Sequence, residues 1–214
     1  MSKLLESVAL PCTRVPDGVR PGNALRIAEP IRMGQGWRDE EDEGLRAGTV
    51  RLAWEPGALW VMAELVDDEI WSTATADSQR LWEMGDVFEM FLQVEGRDDY
   101  VEMHVAPHGF RMHLRLDTEM FRAMANEERE FDGALVRPPA FEAKTLVLDG
   151  QWVVEARVPA SEVHPNGRIS PGDRWLASFC RYDARAEGSA VLSSTSPHRI
   201  CGFHRRAEWR SICF

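Results

Sequence analysis

Glu89, Glu102 and His104 are the residues of this chain whose types and spacing most readily do chemistry. Glu89 interrupts the apolar run Val87-Phe-Glu-Met-Phe-Leu92. An ionised carboxylate there is costly unless a cation or hydrogen-bond donors meet it. Glu102 and His104 are two apart, so they share one face of a strand. Arg111, His113 and Arg115 repeat that spacing in the next apolar run, and Trp82 stands just ahead of the first. An aromatic plate beside carboxylate, imidazole and guanidinium suits a polar ligand with an apolar face, because it offers a ring to stack on together with acceptors and donors. The predicted ligand site therefore takes Trp82, Glu89, His104 and Arg111.

The same residue types admit other chemistry. Glu102, His104 and His113 form a candidate metal set, and Glu89 with Glu102 is a carboxylate pair of glycosidase type. Met103, His104, Met112 and His113 are haem-ligand types. The alternative functions are thus a metal-dependent enzyme or a haem-binding accessory domain. The plainer reading of Glu89 is an ion pair with Arg111 or Arg157 that orders a sheet. Asp67 and Asp68 close a hairpin ahead of Glu69, where carboxylates either solvate the turn or hold calcium. No HExxH, GxSxG or phosphate-loop pattern is present, and Gly34-Gln-Gly36 lacks the strand-to-helix context of a nucleotide loop.

The elements that must position these residues read as strands. Val87–Val94, Tyr100–Ala106 and Phe110–Leu116 are apolar runs parted by Gly96-Arg97-Asp98-Asp99 and Pro107-His108-Gly109, the pattern of an antiparallel meander. Thr49–Trp54 and Leu59–Val66 form a hairpin about Glu55-Pro-Gly-Ala58, with Val50, Leu52 and Trp54 inward. Asp149-Gly150 is a tight turn into Gln151–Val158, which sends Trp152, Val154, Ala156 and Val158 to one face. Further strands are expected at Ala134–Val136, Ala143–Leu148, Trp175–Asp183, Ala190–Leu192 and Arg210–Phe214. Helix is expected at Asp117–Phe131 and for one turn at Pro159–Val163, and Ser78–Trp82 is a short helix or loop that delivers Trp82. Residues 1–47, which carry Pro11, Pro16, Pro21 and Pro30, wrap the core as an edge strand and loops. The predicted fold is all-β over residues 1–214 as a single domain. It has two packed antiparallel sheets, a jelly-roll-like β-sandwich with a core at 48–214 and one or two short helices.

Bulk properties narrow the partners. The 214 residues are 44% apolar and 28% charged, values of a globular protein, and no apolar segment reaches membrane-spanning length. A net charge of −10 argues against nucleic acid, which needs a basic footprint. Cys12, Cys180, Cys201 and Cys213 show no metal-ligand spacing. The opening Met1–Leu10 carries Glu6 and no long apolar core. The expected compartment is therefore the cytoplasm with reduced thiols, or the exterior if a leader has been removed. Eight tryptophans are a heavy load; some must be core, but sugar sites also draw on exposed indoles.

The order of these pieces resembles the family 9 carbohydrate-binding module. The resembling residues run from 48 to 214: Val50-Arg-Leu-Ala-Trp54 with Leu59-Trp-Val61; Asp67-Asp68; Trp82-Glu-Met-Gly-Asp-Val-Phe-Glu-Met-Phe91; Tyr100-Val-Glu-Met-His104 with Gly109; Trp152-Val-Val-Glu-Ala-Arg-Val-Pro159; Gly172-Asp-Arg-Trp175 with Phe179-Cys-Arg181; and Phe203-His204. The resemblance implies a β-sandwich that holds a sugar or chain end between two aromatic rings, often with structural calcium. It makes Trp82 the first ring and Glu89 the acceptor of sugar hydroxyls. His104 stands where the family carries an arginine, and Ala106 where it carries an asparagine. By position Phe203 is the substitute for the second ring, with Trp209 further on. The expected function is non-catalytic carbohydrate binding, alone or associated with a glycoside hydrolase.

Overall fold

Alternation with a period of two decides which residues reach the core and which reach the opposite face. In the computed structural model, which describes residues 9–126, 130–185 and 189–214, twelve strands build two sheets. They are β1 (Thr13–Arg14), β2 (Ile31–Arg32), β3 (Gly48–Glu55), β4 (Ala58–Val66), β5 (Val87–Val94), β6 (Tyr100–Val105), β7 (Arg111–Leu116), β8 (Glu142–Leu148), β9 (Gln151–Pro159), β10 (Arg174–Asp183), β11 (Val191–Ser194) and β12 (Arg210–Cys213). The first sheet has the order β1-β3-β4-β9-β8, with β2 also on β3. The second has the order β11-β10-β5-β6-β7, with β12 also on β10. Their named pairs are antiparallel apart from β1 with β3. This is the expected sandwich.

The main core lies between the sheets. Val50, Leu52 and Trp54 of β3 and Trp152, Val154, Ala156 and Val158 of β9 meet Phe88, Met90 and Leu92 of β5, Val101, Met103 and Val105 of β6, and Phe179 of β10. All are buried. Burying one such aliphatic or phenyl side chain contributes about 1.5–3 kcal/mol. The intervening residues of β5 and β6, Glu89, Phe91, Glu102 and His104, must then point to the outer face of the second sheet. A second cluster of Leu81, Phe91, Tyr100, Leu114, Leu116, Phe203 and Trp209 covers that face in part.

Among the described residues there are three short helices, α1 (Pro21–Ile27), α2 (Thr118–Ala125) and α3 (Ala160–Val163). α1 corrects the expectation of loops in the N-terminal wrap. Proline at its start spares an amide that has no helical partner, and Ala24 and Leu25 pack on Ala53 and Met62. The Asp117 side chain caps α2 by accepting from Met120 N at 2.7 Å. The remainder of the helix expected to Phe131 crosses residues 127–129, which lie outside the described residues, as do residues 1–8 of the leader reading. The strand expected at Ala134–Val136 is instead a 3-10 turn at Phe131–Ala134 followed by a single bridge from Leu135 to Leu114. Among the described residues no helix is long and apolar enough to cross a membrane.

Candidate functional site

The outer face of the second sheet is hollow where the second cluster stops. A cavity of about 890 Å³ opens there, with Trp82, Glu89, Glu102, His104, Phe121 and His204 among its lining. Its floor is polar because β5 and β6 pair in a register that sets Glu89 opposite His104 and Phe91 opposite Glu102. Cross-strand neighbours at that spacing touch. His104 Nε2 lies 2.7 Å from Glu102 Oε1 and 3.4 Å from Glu89 Oε1, so one imidazole serves two carboxylates. His204 Nε2 lies 3.6 Å from Glu102 Oε2, and the Tyr100 hydroxyl is 3.0 Å from His204 Nδ1. Glu89, Glu102 and His104 are 3%, 4% and 1% exposed. Glu102 Oε2 and His104 Nδ1 have no hydrogen-bond partner among the described residues. Buried polar atoms without partners are rare enough to require an explanation, and a ligand or water is the ordinary one.

Electrostatics divides the two acids. Burial pushes Glu89 up to about 7, against the pull of His104 and with the repulsion of Glu102. Burial also acts on Glu102, but His204 and the His104 hydrogen bond outweigh it and hold this carboxyl below its ordinary range. Burial alone would lower His104, yet Glu89 and Glu102 raise it. The floor therefore offers one firm acceptor, Glu102, and one group near neutrality, Glu89, that can donate or accept.

Trp82 arrives on a 3-10 turn over Leu81–Glu83, as the short helix or loop predicted there would deliver it. Leu81 is anchored in the second cluster. Gly85 then lets the chain pass Trp71 and Ser72 with φ of +138°, where an added Cβ would sit 2.5 Å from Trp71 O. The Trp82 ring is half-buried, edge-on to His104 at 5.6 Å and to Phe131 at 5.5 Å. The structure thus brings Trp82, Glu89 and His104 together.

Arg111 it does not. β6 pairs with β7 so that Val105 faces Arg111 and Met103 faces His113, which turns Arg111, His113 and Arg115 away from the cavity. Arg111 binds Asp77 at 2.9 Å and donates to Phe141 O at 2.5 Å, and Arg157 pairs with Glu142. Neither meets Glu89, so the ion-pair readings of that acid are corrected too. His113 is buried toward the core, accepts from Ala140 N at 3.3 Å, and is lowered to about 4 by burial and by Arg115. It cannot join His104 on a metal or a haem. Phe203 does line the cavity but is only 5% exposed, wedged among Trp37, Phe91, Tyr182 and His198. Trp209 is buried and donates to Phe203 O. Sequence reasoning set Glu102 on the face of His104 but left it out of the ligand site, and it missed His204 as a floor residue and Phe121 as a wall. Phe121 is 37% exposed and lies with its ring 4.5 Å from that of His204. Its apolar spacing with Met120 and Met124 was the available signal.

Asp67 joins a different cluster, at one edge of the intersheet core. Ligand atoms of Asp67, Asp86 and Asp183 lie within 4.8 Å of one another, and all three residues are buried. Arg181 donates to Asp67 Oδ2 at 2.9 Å and to Val66 O at 2.7 Å, and stands 3.5 Å from Asp183 Oδ2. Asp86 accepts from Trp71 N and Ala184 N, yet burial pushes it up to about 7. Asp183 Oδ2 has no hydrogen-bond partner among the described residues. Three buried carboxylates are hard oxygen donors of the kind calcium takes, and Asp67, Asp86 and Asp183 would hold it, although Arg181 and Arg185, 3.5 and 3.6 Å from Asp183 Oδ2, already bring positive charge to that oxygen. Asp68 would not, since it pairs with Arg46 at the surface.

Comparison with known proteins places this architecture. A protein of Bacteroides uniformis proposed to bind carbohydrate superimposes with a TM-score of 0.74 at 17% identity, covering 96% of this chain and 98% of that one. A family 9 carbohydrate-binding module of Caldicellulosiruptor kristjanssonii matches as its cellotriose complex, with a TM-score of 0.61, 16% identity and coverage of 94% and 91%. Its glucose complex gives 0.60, 16%, 94% and 93%. The chain therefore has the β-sandwich fold of these carbohydrate-binding domains. No family model and no curated protein matches the sequence.

Proposed function

We propose that this chain binds a carbohydrate, without catalysis, in the cavity on the outer face of the second sheet. One observation carries the reading. Two carboxylates joined by a buried imidazole form the floor of an open hollow, and a half-buried tryptophan stands beside them. Sugar hydroxyls are donors and acceptors at once, and their C–H faces stack on aromatic rings. Glu102 accepts, Glu89 accepts or donates, and Trp82 takes the apolar face. The sugar-bound modules of the same fold support the assignment.

Each good hydrogen bond contributes only about 1 kcal/mol net. Affinities in the micromolar to millimolar range, roughly −8 to −4 kcal/mol, are expected. Titration calorimetry with a panel of mono- and oligosaccharides tests the proposal. Saturable heat that Trp82→Ala and Glu102→Gln both weaken is the expected result. No heat with any sugar removes the proposal.

A further inference from the structure

The cavity is divided in a way a plain sugar does not explain. Its polar groups converge on the floor, while Phe121, Met124 and Leu192 supply an accessible apolar wall backed by the already buried Phe91, Leu114 and Leu116. Arg80, Glu130 and Asp132 also line it but are exposed. Arg80 is held by Glu83 and the Phe131 ring, and Asp132 by Arg137. At about 890 Å³ the hollow is near the upper end of the range that encloses a whole drug-sized ligand. One pyranose on the floor leaves most of the wall uncovered. A second and third pyranose would bury hydroxyls against leucine, methionine and phenylalanine, and each hydroxyl buried without a partner is costly. Helix α2 makes the same point. Only Ala123 of it is buried, and Phe121 stays 37% exposed beside Met124 at the cavity.

We infer that the ligand is a sugar joined to an apolar aglycone, an aryl or alkyl glycoside, with the sugar on the Glu89–His104–Glu102 floor and the aglycone under α2. This rests on the carbohydrate reading and names the class of carbohydrate. The aglycone removes from water the exposed parts of Phe121, Met124 and Leu192, which a bare sugar on the floor leaves wet.

The test is calorimetric titration of the whole chain with methyl and 4-nitrophenyl glycosides of glucose, galactose, xylose and mannose, with cellotriose and 4-nitrophenol as comparators. For the sugar that binds, the nitrophenyl glycoside should bind at least tenfold tighter than the methyl glycoside and tighter than cellotriose. Phe121→Ala and Met124→Ala should each narrow that ratio severalfold. Equal affinity of the two glycosides, or tighter binding of cellotriose, overturns this inference and leaves carbohydrate binding standing. Binding of 4-nitrophenol as tight as that of its glycosides, or no binding by any glycoside, overturns the carbohydrate reading and this inference with it.

Discussion

Two buried clusters of acids, Asp67–Asp86–Asp183 and Glu89–Glu102, face opposite sides of the second sheet. Arg181 is registered with Phe88, and Cys180 with Glu89. Arg181 therefore enters the intersheet side with Asp67 and Asp183, whereas Glu89 faces the cavity with Glu102 and His104. The first cluster is answered by a guanidinium, which donates to Asp67 and to Val66 O. The second is answered by imidazoles, which titrate, and part of it is left unanswered. The first arrangement suits a structural fixture, and the second, beside a hollow, is the one the proposal assigns to a ligand.

The comparison breaks most visibly if the cations are removed. Arg181→Met takes from Asp67 its guanidinium partner and leaves Asp183 only Arg185, at 3.6 Å, so stability should fall by about 3–5 kcal/mol in urea unfolding. His104→Asn should cost only about 1–2 kcal/mol, because Glu89 already sits near neutrality and can take up a proton. Equal losses would erase the distinction.

Next in size is the pH dependence. Glu89 and Asp86 are both raised to about 7 by burial. Their folded values exceed the unfolded ones, so the folded state binds more protons. Their stabilising contribution is complete below about pH 4 and is lost as pH rises through about 7. Each alone amounts to on the order of 3 kcal/mol. Raised His104 acts in the same direction, while lowered Glu102 contributes above its unfolded value and loses that contribution in acid. Lowered His113, His198 and His204 act oppositely, since the unfolded chain binds their protons more readily and stability rises with pH toward 6.5. The test is therefore a difference between variants: measured from pH 5 to 8, Glu89→Gln or Asp86→Asn should each lose less stability, or gain more, than the parent chain. A profile unchanged in both variants would contradict the burial argument.

A ligand separates the clusters with a smaller effect. Trp82→Ala should weaken sugar binding at least tenfold, about 1.4 kcal/mol, while Arg181→Lys should leave affinity within twofold. Smallest is calcium, which should raise the melting temperature by roughly 2–4 °C for each kcal/mol of binding, reversibly with chelator, and leave sugar affinity unchanged. No shift with calcium would assign the aspartates to Arg181 alone.

The sequence disclosed the strands and placed Trp82, Glu89 and His104 close to one another, for physical reasons. Period-two alternation is written into Thr49–Trp54 and Gln151–Val158, and an acid inside Val87–Leu92 announces a partner or a ligand. What it did not disclose was cross-strand register. A one-residue slip sends every side chain to the other face. Arg111 was grouped with His104 although the turn at Pro107-His108-Gly109 sets it against core-facing Val105. Phe203 and His204 adjoin in the chain, yet one is wedged into packing and the other stands at the floor. That division depends on tertiary contacts with Trp37, Tyr182 and Tyr100. α1 was hidden because Pro21 reads as a loop signal as readily as a first helical residue.

The most direct test of the central claim is a nitrogen-resolved NMR titration with glucose and with cellotriose. The account predicts saturable shifts concentrated at the Trp82 indole and the amides of Glu89, Glu102 and His104, with the amides of Asp67, Asp86 and Asp183 unmoved. Shifts absent from the cavity, or centred on the aspartate cluster, would contradict it.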